Sequence, residues 1–589
     1  MKSRLLQLAL VGFAFTLFVA SPVLGQAFED VAPELGLNFI GACGGAFWFD
    51  YDLDGDLDLL RTERFSGQDV IFRNDGDHFT EMSDIGLASG VDHGTTLPMD
   101  FDHDGDYDIW IDGYNTPIQL MVNENGHYTD QTVELGLQPN QGGRHGTWLD
   151  INHDGWMDLM IELVSGWKLY RNDQGEFADI TSSTELPNLH DGSFFSETDI
   201  DLDGDVDIFM TRIDGSDHLY VNLGNGSFED ATIASGLSGI PAELGCLWVD
   251  FDHDKYPDLL TQGINDHAIW HNDGDGTFTE MTVHGTNTDF DGGGWPYGAR
   301  YAAADFDMDG DADFYVCRPG GCGDGLAPNQ FFRMDSIDGL DIWFTDIAPE
   351  LSMDFLQDGY PWVADYDQDG DMDLYIAQQN SPDRLFRNNL ANSANRLQVE
   401  LLGPAGERDR WHTRVEVSPH DSNIPIAVSE LNFSNVNRNG FNSYLVLDES
   451  AHYDLRLYFA CGVVMTPEEY PQLSDIVPAE IGHIITVQMG EQVAVGGLPP
   501  VPSQLTILNS YPNPFNGLTT FSFQVPKAGP VKLSIFTLEG KLVDVMNVSA
   551  LSEQETRVTW NADKLSSGLY IAALEAGSYR ARTKVLLLK

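Results

Sequence analysis

Short apolar runs alternate with polar turns along the first two thirds of the chain, and no stretch of useful length keeps a helical period. Phe47-Trp48-Phe49 is followed, across an acidic segment, by Leu57-Asp58-Leu59-Leu60. Ile71-Phe72-Arg73-Asn74 comes next, and then Phe79 with Glu81 two residues on. The pieces recur: Thr147-Trp148-Leu149 as a first run, Tyr107-Asp108-Ile109-Trp110 and Met372-Asp373-Leu374-Tyr375-Ile376 as second runs. Leu169-Tyr170-Arg171-Asn172, Leu219-Tyr220-Val221-Asn222 and Leu385-Phe386-Arg387-Asn388 recur as third runs. Fourth elements open on an aromatic with an acid two positions later: Tyr128/Asp130, Phe177/Asp179, Phe228/Asp230, Phe278/Glu280 and Phe344/Asp346. The Asn-Asp-Gly type sequences between third and fourth runs are hairpin turns. Four short strands in about 50 residues make one propeller blade.

An acidic nonapeptide joins the first and second strands of each unit. It reads DYDLDGDLD from Asp50, DFDHDGDYD from Asp100, DINHDGWMD from Asp150 and DIDLDGDVD from Asp199. It returns as DFDHDKYPD from Asp250, DFDMDGDAD from Asp305 and DYDQDGDMD from Asp365. The starts lie 50, 50, 49, 51, 55 and 60 residues apart. The expectation is an all-β chain whose residues 26–390 form a seven-bladed β-propeller. Phe28/Asp30, followed by Leu35-Gly36-Leu37, is a fourth-strand element that precedes the first acidic loop. The last unit, ending at Arg387-Asn388, lacks one. The N-terminal strand is therefore expected to complete the seventh blade and hide both edges of the ring. An open stack of repeats is the alternative architecture.

Charge sharpens the picture. The 589 residues hold 93 Asp+Glu against 30 Lys+Arg, a net charge of −63. Nucleic acid and anionic membrane surfaces are excluded as partners, because phosphate would be repelled. Of the 93 acids, 32 stand at positions 1, 3, 5, 7 and 9 of the seven loops. Carboxylates so crowded repel and raise each other's pKa unless a cation sits among them. Calcium takes 6–8 oxygens at about 2.3–2.6 Å. The first loop offers the carboxylates of Asp50, Asp52, Asp54 and Asp58, a carbonyl at Asp56, and Gly55 for the sharp bend. The matching sets are Asp100, Asp102, Asp104, Asp106 and Asp108; Asp150, Asn152, Asp154, Trp156 and Asp158; and Asp199, Asp201, Asp203, Asp205 and Asp207. Asp250, Asp252, Asp254 and Asp258 follow, then Asp305, Asp307, Asp309, Asp311 and Asp313, then Asp365, Asp367, Asp369, Asp371 and Asp373. The fifth loop departs from the rest: Lys255 replaces glycine and Pro257 stiffens the turn. An EF-hand does not fit, since position 12 is Arg61 or Ile111 and strands flank the loops. Histidines at position 4 (His103, His153, His253) are expected to point away from the ion into solvent.

The D-x-D-x-D-G-D-x-D units resemble FG-GAP/VCBS repeats of integrin-like seven-bladed propellers, over residues 28–390. The resemblance implies calcium in the hairpin between the first two strands of each blade. Its ligands would be positions 1, 3, 5 and 9 and the carbonyl of position 7, with up to seven structural Ca²⁺ ions.

A glycine is expected just before each first strand (Gly45, Gly94, Gly146, Gly192, Gly245, Gly298, Gly359), in a connection near the central channel on the face opposite the acidic loops, where polar residues gather. His93, Arg144, His145, His190, Asp191 and Arg300, with Trp295-Pro296-Tyr297 nearby, are candidates to line a shallow ligand funnel; ordinary loop polarity is the competing reading. No G-x-S-x-G, H-E-x-x-H, phosphate loop or G-x-G-x-x-G occurs.

Flanking segments set the compartment. Residues 1–25 read as a secretory signal peptide: Lys2 and Arg4, an apolar run, then Ser21-Pro22 and small residues before Gln26. No other segment is long and apolar enough to span a membrane. Five cysteines are too few for a disulfide scaffold; Cys317 and Cys322 alone are spaced to close a small loop. Residues 391–495 alternate apolar and polar positions as a small β domain. Its Asn395-Arg396-Leu397-Gln398-Val399-Glu400-Leu401 opening is similar to the ASPIC/UnbV domain, although Trp411-His412-Thr413-Arg414-Val415 replaces the small-residue segment of that family. Residues 496–504 are a proline-stiffened linker. Residues 505–589 read as an Ig-like β-sandwich. There Tyr511-Pro512-Asn513-Pro514-Phe515-Asn516, Gly568-Leu569-Tyr570 and the terminal Lys584-Val585-Leu586-Leu587-Leu588-Lys589 resemble the type IX secretion C-terminal sorting domain. That resemblance implies passage through the type IX machinery to the outer surface or medium. The function expected is extracellular binding or adhesion to a protein or glycan. A polysaccharide-degrading enzyme and a structural surface-layer component are the alternatives.

Overall fold

The computed structural model describes residues 27–587. Left out are 64–68, 88–92, 114–115, 125, 139–141, 153, 164–165, 185, 187–192, 213–214, 225, 241, 243–244, 263–266, 287–299, 318–327, 357–358, 390–395, 403–412, 421–426, 432–441, 447–450, 460–471, 477–483, 489–505, 512–517, 525–528, 538–540, 551–555, 563, 566–567 and 577–578.

Seven sheets, antiparallel but for one pairing in the sixth, follow one another in sequence. Blade 1 comprises Cys43–Phe49, Asp58–Glu63, Val70–Asn74 and Phe79–Glu81. Blades 2 to 5 repeat that order, opening at His93–Met99, Gly143–Leu149, Ser193–Thr198 and Gly245–Val249. First strands of adjoining blades approach one another, so they line the axis. Each acidic loop runs from the end of a first strand to the aspartate that opens the second. Gly45, Gly94 and Gly146 lie inside the first strands rather than ahead of them.

Blade 6 carries a strand that the repeat does not predict. Thr282–Thr286 pairs in parallel with Asp341–Asp346, outside the four strands the unit supplies. Blade 7 holds Gly359–Ala364, Asp373–Gln378 and Arg384–Asn388, and its fourth strand is Phe28–Asp30 from the start of the chain. Phe28 faces Asn388 in the register in which Phe79 faces Asn74 and Phe177 faces Asn172. The expected closure is thus formed. An Ala-Pro-Glu-Leu helical turn follows both Asp30 and Asp346, at Ala32–Leu35 and Ala348–Leu351, proline sitting where its missing N–H costs nothing.

Apolar position-2 residues of the loops are buried between blades. Phe101 stacks on Trp148 at 6.4 Å, and Tyr366 on Trp48 at 6.3 Å. The third-strand asparagine fastens blade to blade. Asn74 Nδ2 donates to the Tyr366 carbonyl at 3.0 Å, Asn172 to Phe101 at 2.9 Å, Asn272 to Ile200 at 2.9 Å and Asn388 to Phe306 at 2.8 Å. At the seam of blades 7 and 1, Arg61 is fully buried. Its Nε donates to Asp383 Oδ2 at 3.0 Å and its Nη1 to Glu63, under the ring of Phe39. Tyr375 Oη also donates to Asp383 Oδ2, at 2.7 Å.

Residues 396–488 form two sheets, one of which pairs Arg396–Leu402 in parallel with Ile484–Gln488. Residues 506–587 form two more, with Phe521, Phe523, Leu533, Ile535 and Trp560 in their core. No helix of the described residues is long and apolar enough to cross a membrane.

Candidate metal centres

Each loop is shaped by its own aspartates before any ion is considered. Position 1 accepts two backbone N–H groups: Asp50 takes those of Asp54 and Gly55 at 3.0 and 3.1 Å, and Asp199 takes those of Asp203 and Gly204 at 3.1 and 3.0 Å. Position 9 is buried and bridges two strands. Asp58 Oδ2 accepts from Tyr51 N–H at 2.7 Å and Oδ1 from Asn74 N–H at 2.7 Å. Asp158, Asp207, Asp258, Asp313 and Asp373 repeat that pair of bonds.

The turn needs left-handed backbone twice. Position 6 is glycine in six loops, with φ from 86° to 103°, and Lys255 adopts 86° in its place. Position 4 is left-handed without glycine: Leu53, His103, Leu202, His253, Met308 and Gln368 have φ between 57° and 62°. Such a conformation costs a non-glycine residue about 1–2 kcal/mol, and here the surrounding hydrogen bonds impose it.

This folding gathers the carboxylates. Asp50, Asp52 and Asp58 bring one oxygen each within 4.8 Å of one another. So do Asp100, Asp102 and Asp104; Asp199, Asp201 and Asp203; and Asp250, Asp252 and Asp254. Three position 7 side chains turn toward the preceding blade's loop. Trp156 stacks on His103 at 4.0 Å, Asp311 lies 3.2 Å from His253 Nε2, and Asp56 accepts from Gln368 Nε2 at 3.1 Å. His103 and His253 are therefore engaged between blades, not simply solvated as their position suggested; His153 lies outside the described residues.

The electrostatics follow from burial and crowding. With only the chain's own charges present, burial first and the neighbouring acids second push Asp58 up to about 8, Asp108 to about 9 and Asp305 to about 7. Asp158, Asp207, Asp313 and Asp373 are pushed well above the carboxylate range for the same reasons. Asp108 Oδ2 and Asp250 Oδ1 are buried oxygens that accept no hydrogen bond. All-oxygen donor sets with orphaned carboxylate oxygens fit a hard divalent cation.

Arginines of the third strand, overlooked in the motif, stand beside several loops. Arg73 Nε lies 3.9 Å from Asp52, and Arg333 lowers Asp307 electrostatically. The signal for Arg73 was the Arg-Asn pair that recurs at 171–172 and 387–388; Arg333 precedes Met334 and lacks it. In blade 5 the same place holds His271, which hydrogen bonding to Asp258 raises to about 9 against the opposing effect of burial.

The opposite face is less complete. His145 is buried, its Nε2 3.3 Å from the Phe195 carbonyl oxygen of the next blade. Arg300 lies 3.7 Å over the Tyr360 ring and donates to Tyr360 Oη at 2.9 Å. His190, Asp191, Trp295, Pro296 and Tyr297, and the side chains of His93 and Arg144, lie outside the described residues. Of the six proposed funnel residues, the described structure shows only the side chains of His145 and Arg300, each engaged with a neighbouring blade.

Comparisons with known proteins agree with this architecture. Residues 50–111, 199–261 and 250–316 match the FG-GAP-like repeat, and residues 509–588 match the secretion system C-terminal sorting domain. No curated protein matches the chain. Among solved structures, an Agrocybe aegerita lectin, described as recognising non-reducing terminal N-acetylglucosamine, shares 15% identity. The alignment spans 58% of this chain and 87% of the lectin, with a TM-score of 0.38. The Photorhabdus luminescens Tc holotoxin pore shares 11% over 93% of this chain and 29% of its own, with a TM-score of 0.29. PorZ, a surface component of the Porphyromonas gingivalis type IX secretion system, shares 11% over 96% and 100%, with a TM-score of 0.20. These likenesses are too loose to argue from. Repeats, ring closure and tail together make the chain a seven-bladed propeller of FG-GAP-like repeats, carrying a type IX secretion sorting domain that directs it to the outer cell surface or the medium.

Proposed function

We propose that the protein is an extracellular binding module whose propeller is held in shape by calcium, and whose ligand is a protein or a glycan. The observation that carries the calcium reading is the gathering of three carboxylates within 4.8 Å in loop after loop, with buried oxygens of Asp108 and Asp250 left without a donor. Asp, Asn and carbonyl oxygens of the loops would hold the ion, which would supply the positive charge that burial of Asp58, Asp108 and their counterparts demands. An ion bound only by the folded loop stabilises the fold in proportion to its occupancy. Extracellular sites of this chemistry bind at about 10⁻⁴–10⁻³ M, saturable outside a cell. The sorting tail supports the extracellular setting, and a rigid disc exposing loops on two faces supports binding.

Two measurements test this reading. Calcium added at millimolar level to metal-depleted protein should be taken up in several equivalents and raise the melting temperature markedly. An unchanged melt after verified depletion would sink the structural role. Retention on a glycan or surface-protein array without release of product supports the binding role; release of sugar fragments from polysaccharide overturns it.

A further inference from the structure

The fifth loop differs from its counterparts in the donor that faces it. It keeps four carboxylates, and its turn survives the loss of glycine: the Lys255 N–H donates to Asp250 Oδ2 at 3.0 Å. The difference comes from the third strand. The residue before the one that pairs with the fourth-strand aromatic is Arg73, Val122, Arg171, Val221, His271, Arg333 and Arg387 in blades 1 to 7. Arginine keeps its proton and valine has no donor atom, so His271 alone of the seven can offer a lone pair to a metal.

Geometry places that lone pair among the acids. His271 Nδ1 lies 3.1 Å from Asp258 Oδ1 and 3.5 Å from Asp252 Oδ2, and the three donor atoms fall within 4.8 Å of one another. Two donors that each stand about 2.0–2.2 Å from one ion are about 3.0–3.6 Å apart, which is the spacing seen. Asp250 Oδ1, in the same loop, is buried and accepts no hydrogen bond. Behind the ring, Nε2 faces Asp273 Oδ1 at 3.9 Å. The other oxygen of Asp273 is fixed by Thr277 Oγ1 at 3.2 Å and Thr279 Oγ1 at 2.9 Å. Asp273 stands too far for a hydrogen bond but near enough to attract the ring, in the place where a carboxylate orients a ligating imidazole and keeps its near nitrogen available.

We propose that Asp252, Asp258 and His271 form a site for a divalent transition-metal ion of the zinc class, distinct in chemistry from the all-oxygen loops. Imidazole with carboxylate suits such an ion, whereas calcium prefers oxygen alone. The inference rests on the cation reading of the loops for its location and adds a selectivity that reading does not contain.

The test uses the full chain, depleted of metal and then saturated with calcium. Zn²⁺ is titrated calorimetrically, and Co²⁺ serves as an absorbing reporter of nitrogen ligation. One tight equivalent of Zn²⁺ should bind that excess calcium does not displace. His271→Arg, the residue four other blades carry at this position, should fold and melt normally, keep its calcium uptake and lose the zinc equivalent. Asp273→Asn should weaken zinc by about 10–100-fold. Absence of tight zinc in the unaltered protein means that the imidazole only pairs with Asp258, and overturns the proposal; retention of the equivalent in His271→Arg does the same. Failure of the calcium reading registers separately, as no calcium uptake in either protein.

Discussion

In the acidic loops carboxylate faces carboxylate, whereas at the seam of blades 7 and 1 two carboxylates face a guanidinium. Asp50, Asp52 and Asp58 converge, and Arg73 stands only at their edge, 3.9 Å from Asp52. Asp383 and Glu63 share Arg61, and Tyr375 adds a further donor. Burial raises the acids in both places, but at the seam Arg61 pulls them back, while in the loops neighbouring aspartates push further. The ring therefore uses two kinds of fastening. Its closure is made by charges the chain carries itself. Its loops crowd acids that, on the calcium reading proposed above, take their countercharge from outside the chain.

The largest effect is expected where the seam is broken. Arg61→Leu strands Asp383 and Glu63 in an apolar setting. A buried pair that loses one partner costs about 3–5 kcal/mol. Denaturant unfolding of the full chain should show a loss of that size, as great with calcium as without. A loss that calcium reverses would mean that seam and loops are not separate fastenings.

The next effect is one of pH, and it carries a sign. Asp58, Asp108 and Asp305 are raised in the fold to about 8, 9 and 7 from the usual 3.8. A raised carboxyl stabilises the fold fully below its unfolded pKa, and that contribution is lost as pH rises through the folded value. Metal-depleted protein should thus lose stability between about pH 4 and pH 9. Calcium favours the ionised form, so the gain in melting temperature on adding it should widen over the same range. A gain that stays flat with pH would show that the loop acids are not what the ion neutralises.

These fastenings were legible in the sequence to different degrees. The blades were plain, because the acid spacing and the aromatic-x-acid signature recur whichever residues fill the remaining positions. Ring closure was legible for the same reason, since Phe28 and Asp30 carry a fourth-strand signature with no blade of their own before them. The seam was not, as Arg61 and Asp383 lie 322 residues apart and belong to no repeat. Nor was Thr282–Thr286, a strand added to one blade only. At position 4, residue type gave no hint of left-handed backbone, because Leu53, Met308 and Gln368 seldom adopt it and do so here under the hydrogen bonds of their neighbours. His103 and His253 were misjudged as solvated because their partners, Trp156 and Asp311, belong to the next blade.

That last contact yields the smallest effect and the finest division between the two fastenings. Gln368, at position 4 of the seventh loop, donates from Nε2 to the Gly55 carbonyl at 2.6 Å and to Asp56 Oδ1 at 3.1 Å, across the closing junction. The side chain is exposed, so Gln368→Ala should change global stability by no more than about 0.5 kcal/mol. Its influence should instead be local, because the bond steadies the segment of the first loop that carries the expected carbonyl ligand at Asp56. Calcium titration of the variant should show one equivalent weakened severalfold and the others unchanged. If every equivalent weakens together, the loops act as one linked ring; if none does, each loop is shaped by its own aspartates alone, and the contacts between blades serve packing only.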